Sequence, residues 1–432
     1  MSDIRSRLKR EFHQSVNSRF ARNAGWLAAG QGTGFFLQGV YFVMLARLLG
    51  RDDYGIFAGA FAFSSLVSQY SPLGTGTVFL RHVSRDPGAF GVHWGNILAT
   101  TFVFGGFISI VLIYIGKHIL NPSSAALVMF AAVANVIFAQ LTTETGRVFQ
   151  AFEKMKISAM MGMLTSLVRT ITAGSMLLFM HHATARQWAI AALFISAASA
   201  TTAAVIVTIN FGRPRFVLHK IFHASAEGVG YSFAASASSV YNDIDKTMLS
   251  HYGMNAANGI YTMAYRIVDM AAMPIISIRD AALPRLFKSG STNLDATSTL
   301  TIRLFKRAAP IALVAAAGMF LFAGILPKIV GHGYAETVVA LRWLCLIPLF
   351  RSVHQMTGSA LTGAGLQSYR TASQVSAAIL NIVLNFHWIP MYGWRGAAWA
   401  SLATDGALAV VTAILFKIKI FDRRHVLQTD LI

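Results

Sequence analysis

Cysteine is almost absent: Cys345 is the only one in 432 residues. That excludes an intramolecular disulfide framework and any multi-cysteine metal site. Thirteen histidines are present, but none falls at metal-ligand spacing, and His181-His182 sits in a short connection. Charge is also scarce. Asp, Glu, Lys and Arg make up 12% of the chain, half of the ~25% usual in a soluble domain. Long polar stretches are missing, so no extramembrane domain fits anywhere. Nor is there a nucleotide-binding glycine loop, a helical paired-histidine zinc motif or a nucleophile elbow. ATP-driven pumping by this chain alone is thereby excluded.

What is there is apolar. Hydrophobic residues make up 55% of the chain. A membrane-spanning helix needs about 20 mostly apolar residues. Such segments run roughly over 24–48, 54–80, 93–116, 123–147, 157–180, 187–211, 229–251, 257–283, 304–326, 337–359, 370–389 and 395–417. The expected fold is an all-α integral membrane protein of about twelve transmembrane helices. The opening MSDIRSRLKREFHQSVNSRF is basic and amphipathic and has no small-residue cleavage site. It reads as a cytoplasmic arm, either lying on the bilayer surface or trailing as a disordered tail.

The formal net charge of +19 does not require nucleic acid, because Lys and Arg fix membrane topology. With the N-terminus inside, the inner segments hold 23 Lys and Arg. The outer connections hold six: Arg47, Arg51, Lys117, Arg186, Lys328 and Arg395. The bias predicts that both termini are cytoplasmic, in a multi-pass protein of a bacterial inner membrane. The expected organisation is a basic arm (1–23), a six-helix bundle (24–212), a cytoplasmic linker (213–228), a second six-helix bundle (229–417) and a basic tail (418–432).

The halves resemble each other. MLARLLGRDDYGIF (44–57) and MLSHYGMNAANGIY (248–261) match at an offset of 204 residues, with Gly50 and Gly253 agreeing after a one-residue slip. Pro72 and Pro274 fall within two residues of equivalence, and a proline here favours a kink. Six helices separate the repeat starts. Six is even, so the halves share one orientation, related by an axis along the membrane normal. Parallel repeats of this kind occur in secondary transporters, with the substrate site between the halves.

Several stretches carry a family resemblance: YFVMLARLLGRDDYGIFAGAFAFSSLVSQYSPLGTG after the opening helix, DIDKTMLSHYG and NGIYTMAYRIVDM around the seventh and eighth, and GWRGAAWASLATDGA at the twelfth. With them the chain resembles the polysaccharide-transport branch of the multidrug/oligosaccharidyl-lipid/polysaccharide exporter superfamily, the O-antigen flippases of bacterial envelopes. The resemblance implies two six-helix bundles in a V around a central cavity, opening alternately to either side. It also implies a polyprenyl-diphosphate-linked oligosaccharide as cargo, for exopolysaccharide, capsule or O-antigen assembly. Membrane lipids, a polysaccharide polymerase and chain-length proteins are the partners to expect. No enzymatic activity and no cofactor are expected, apart from a coupling ion, H+ or Na+. One alternative is a multidrug or small-molecule antiporter of the same superfamily, which would want a surplus of buried acids. A membrane polysaccharide polymerase or ligase is disfavoured, because the outer connections around GKHILNPSS and PKIVGHGYAE are short.

Seven cations remain at membrane depth: Arg147, Arg169, Lys246, Arg266, Arg279, Arg342 and Arg351. Six acids join them: Glu144, Asp243, Asp245, Asp269, Asp280 and Asp405. Each costs about 2.5–3.5 kcal/mol at the centre of an isolated spanning helix, so they must face one another or water. Asp243 and Lys246, Arg266 and Asp269, and Glu144 and Arg147 are each three apart, on one helix face. Tyr241 and Tyr265 are placed to bond Asp245 and Asp269. Adjacent Arg279 and Asp280 are expected not to face each other. Arg169, Arg342 and Arg351 have no acid on their own helix face. Arg351 and Arg169 are therefore the preferred phosphate ligands, since a guanidinium grips phosphate through two parallel bonds. Lys246, Arg266, Asp243, Asp269, Tyr265 and Gln38 complete the expected cavity lining for phosphate and sugar. Asp405, alone in the twelfth helix, is the candidate for ion coupling.

Overall fold

The computed structural model describes residues 19–180, 182–290 and 293–421. The basic tail beyond 421 and most of the N-terminal arm lie outside these residues. Among those described there is no strand. Helix α1 (Arg19–Ser68) holds the first expected span and the first part of the second in one run, bent at Gly50 where φ is 68°. Then come α2 (Thr75–Val83) and α3 (Phe90–Ile119). The fourth span is α4 (Val128–Ala132), a π-helical stretch (Val133–Ala139) and α5 (Gln140–Ala151). Helices α6 (Met155–Met180), α7 (Ala185–Phe211), α8 (Leu218–His251), α9 (Asn255–Gly290) and α10 (Leu294–Phe322) follow. The tenth span is α11 (Thr337–Leu344) and α12 (Ile347–Gly363). The last two are α13 (Gln367–Tyr392) and α14 (Trp394–Phe416).

Local chemistry sets these boundaries. Thr184 opens α7 with a capping box, its hydroxyl accepting from Gln187 N–H while the Gln187 side chain accepts from Thr184 N–H. Asn293 caps α10 through Ala296 N–H. The second expected span is not continuous. It unwinds over 69–74 at Pro72, where Leu73 and Gly74 take φ of 45° and 68°. Pro72 has no N–H to keep the ladder going, and Gly74 tolerates the left-handed backbone. The equivalent Pro274 causes no such break; α9 runs through it. The expected linker is also partly helical, because α8 already begins at Leu218.

Nine helical stretches among the described residues are long and apolar enough to cross a membrane. The first two expected spans count there as one, Gly32–Ser68. Helices α8 and α9, with 34 and 36 residues, have the length but not the composition. They carry the polar residues that the sequence pattern assigns to an interior.

The pairing of helices repeats along the chain. In the first half α1 packs on α6, α2 on α3 and α5, α5 on α7, and α6 on α7. In the second half α8 packs on α13, α9 on α10 and α12, α12 on α14, and α13 on α14. Across the halves, α8 and α9 lie along α1. The matched glycines share a conformation, φ 68° at Gly50 and 71° at Gly253. The crossing beside them is reciprocal. A Cβ on Gly55 would strike the Asn255 carbonyl, and one on Gly259 the Arg51 carbonyl. The 204-residue offset exchanges the two contacts, carrying Gly55 to Gly259 and Arg51 to Asn255, so the backbones meet two-fold about this point. Gly55→Val should force the crossing apart and lower stability by about 1–3 kcal/mol, the usual cost of overpacking. Thermal unfolding in detergent measures this; an unchanged midpoint would mean that the crossing is not tight.

Candidate transport cavity

A cavity of about 450 Å³ lies where α1, the π-helical stretch, α6, α7, α8 and α9 converge. Its walls include Gln38, Ser65, Asn135, Ser166, Ser196 and Thr262, a set of hydroxyl and amide groups, with an aromatic side of Tyr41, Tyr54, Phe57, Phe61 and Trp188. Four charges reach it: Arg169, Lys246 and Arg266 against Asp243. A cavity with three cations and one acid, walled by low-dielectric helices, favours an anion.

The cations are not equally available. Lys246 is buried, 3.1 Å from Asp243 and 3.5 Å from Asp245. It also donates to the Asn242 carbonyl and sits 4.6 Å from the centre of the Tyr265 ring. Asp243 in turn accepts from Ser65 Oγ at 2.5 Å, tying α8 to α1. Lys246 is thus committed to its own helix. Among the described residues, Arg169 has one hydrogen-bond partner, Ser196 Oγ at 3.4 Å. Arg266 lies over the Phe42 ring at 4.9 Å and 3.9 Å from Asp269, and its Nε is buried without a hydrogen-bond partner.

Arg351 corrects the expectation from its helix face. It is buried on α12 and donates to Asp269 at 2.8 Å and to Tyr265 Oη at 3.2 Å. It does not line the cavity. The i,i+3 rule paired Asp269 with Arg266; the nearer partner comes from another helix, and Arg266 keeps the longer contact of 3.9 Å. Tyr265 and Asp269 accordingly form a bridge between α9 and α12 rather than a cavity wall. Of the expected lining residues, Gln38, Arg169, Asp243, Lys246 and Arg266 come together there, and Arg351, Asp269 and Tyr265 stand behind them.

Other expected contacts also differ. Asp245 accepts from Tyr261 Oη and Ser401 Oγ, not from Tyr241. Arg279 does reach Asp280, at 2.7 Å, because both side chains are partly exposed and fold toward each other from adjacent positions. Glu144–Arg147 holds as expected, at 2.8 Å. Arg342 is exposed and turns to the Phe320 carbonyl and ring. Asp405 is not alone: His354 Nε2 on α12 lies 3.4 Å from its Oδ1. The aromatic wall was not singled out from sequence, where Tyr231, Tyr241, Tyr261 and Tyr265 are the candidates to stack on sugars; none of these four lines the cavity.

A second opening adjoins the first. It is an apolar groove of about 670 Å³ between α1 and α9, lined by Phe36, Val40, Val43, Met44, Met263, Ile267 and Met270. Phe42 and Arg266 belong to both openings. They form the junction between a polar chamber and a greasy channel.

The polysaccharide biosynthesis protein family model matches residues 20–289. A protein of Escherichia coli (strain K12) named "Putative O-antigen transporter" is 23% identical over 415 residues, covering 91% of this chain and 95% of that one. Among solved structures, the lipid II flippase MurJ in an inward closed conformation superposes with a TM-score of 0.72 at 14% identity, covering 91% of this chain and 87% of that chain. An inward-facing multidrug resistance MATE transporter of the MOP superfamily superposes at 0.67 with 15% identity, covering 92% and 95%. At such identities the structural likeness establishes the fold alone. The family match spans well over half of the sequence, and the chain belongs to the polysaccharide biosynthesis protein family.

Proposed function

We propose that this protein flips a polyprenyl-diphosphate-linked oligosaccharide across the bacterial inner membrane, for exopolysaccharide, capsule or O-antigen assembly. The observation that carries the reading is the junction at Arg266 and Phe42, where a cationic chamber meets an apolar groove. A lipid-linked diphosphate has that same division. Its anionic headgroup suits Arg169 and Arg266, its sugars suit the hydroxyl, amide and aromatic wall, and its polyprenyl tail suits the groove. Bidentate guanidinium contacts supply phosphate selectivity.

Transport follows by alternating access. The halves 24–212 and 229–417 rock about the reciprocal Gly55/Gly259 crossing, in keeping with the repeated helix pairing. Both termini are cytoplasmic on the charge bias of the connections. A polymerase and chain-length proteins act on the exported product. The excess of cations over acids in the chamber disfavours a cationic drug as cargo. A strain lacking the protein is expected to accumulate lipid-linked precursor on the inner leaflet, with drug susceptibility unchanged. Altered drug susceptibility with normal glycan output would favour the antiporter reading instead.

A further inference from the structure

Behind the chamber, in the second half, lies a buried acid–base pair that the substrate path does not use. His354 (α12) and Asp405 (α14) are both buried, at 7% and 1% exposure. His354 Nε2 stands 3.4 Å from Asp405 Oδ1, yet neither atom has an aligned hydrogen-bond partner. Two facing polar groups left unsatisfied in a packed interior are unfavourable, and one proton shared between them would satisfy both. A cavity of about 20 Å³ bordered by Ser238, Tyr241, His354, Gln355 and Arg370 has room for about one water. Arg370 at its edge stands near the start of α13, and one water held there would lie beside His354.

The surrounding charges are few and fixed. Helix α12 contributes Arg351, one turn before His354. Helix α9 contributes Asp269 and Tyr265, both on Arg351, and Arg279, which donates to Gln355 at 2.5 Å. Helix α8 contributes Tyr241, and α13 contributes Arg370, held by Thr362 at 2.9 Å. On α10 the cations Arg303, Lys306 and Arg307 are exposed. Asp269 is shared: 2.8 Å from Arg351 and 3.9 Å from Arg266 in the chamber.

The geometry points to His354 and Asp405 as a protonation switch on the chamber's affinity for its anion, with Asp269 passing the pair's state to Arg266. This rests on the flippase reading, through Arg266 as a diphosphate ligand. A proton from the adjoining water converts neutral His354 and ionised Asp405 into a neutral pair overall. No other bond changes, and release returns the proton to water. With the proton bound, Arg351 stays on Asp269 and Arg266 is free for phosphate. Without it, the bare Asp405 carboxylate draws Arg351 away, Asp269 turns to Arg266, and the anion loses its ligand. Substrate binding and protonation are then linked in the same direction.

The test uses the purified full chain in detergent with farnesyl diphosphate as probe. Affinity should rise by up to about tenfold per pH unit as pH falls through the site's titration, the limit for one linked proton. His354→Gln and Asp405→Asn share the probe's own titration and should lose this added slope while still binding. Variants that bind with the wild-type slope overturn the proton site and leave the flippase reading standing. If the wild-type protein binds no farnesyl diphosphate, that reading fails, and a second measurement decides the site. In the ligand-free protein, the histidine NMR signal missing from His354→Gln should shift with pH and be displaced in Asp405→Asn. A signal that does not titrate, or that ignores Asp405→Asn, overturns the proposal whatever the probe does.

Discussion

Replacing Arg169 and Arg266 together by alanine should abolish export and leave lipid-linked precursor on the inner leaflet, with the protein still folded. Each is a partly exposed cavity cation with weak internal commitments: Arg169 holds one hydroxyl at 3.4 Å, and Arg266 keeps a buried Nε unpartnered. A hydrogen bond to a charged group contributes about 1.5–3 kcal/mol. Each single substitution should then weaken farnesyl diphosphate binding about 10–100-fold. Lysine at either position should recover only part of the loss, because an ammonium cannot make the planar two-bond contact. Arg342→Ala is the control: its exposed side chain rests on the Phe320 carbonyl, outside the chamber. Binding unchanged in the double variant would remove the cationic chamber as the headgroup site.

Arg351 should behave differently. Arg351→Met should destabilise the protein strongly, because it strips the nearer partner from Asp269 and the donor from Tyr265 Oη. Removing one member of a buried ion pair leaves the other uncompensated, whereas removing both can be nearly neutral. Asp269 is about a third exposed, so water softens the loss. The double variant Arg351→Met/Asp269→Leu should accordingly be more stable than the sum of its singles, with an interaction of about 0.5–3 kcal/mol. A double-mutant cycle on thermal unfolding in detergent reads this. Additive singles would show that the pair does not hold α12 to α9. Export in Arg351→Met measures the second role, the positioning of Asp269 beside Arg266.

These two expectations divide arginines that look alike in sequence. Arg169 and Arg351 both lack an acid three or four residues away, and both read there as spare cations. Only Arg169 is spare. Its helix, α6, packs toward α1 and α7, where Arg169 bonds Ser196 and shares the cavity with Gln38. Arg351 meets Asp269 across 82 positions of chain. Arg266 shows the converse: a local rule supplied it with a partner that a distant residue holds more closely.

The sequence by itself determined what periodicity and composition can carry: solubility in lipid, about twelve helical spans, and the concentration of ionic groups on the seventh and eighth. It also carried the repeat, in the match of 44–57 to 248–261. These features are read from composition and spacing along the chain. The tertiary structure decided which ionic groups neutralise each other, which cation faces open space, where the second span unwinds around Pro72, and that His354 stands by Asp405. The physical reason is that an electrostatic partner is chosen by distance in space. Between helices that distance is set by packing of small residues and aromatic side chains, and the spacing of charges along one helix does not record it.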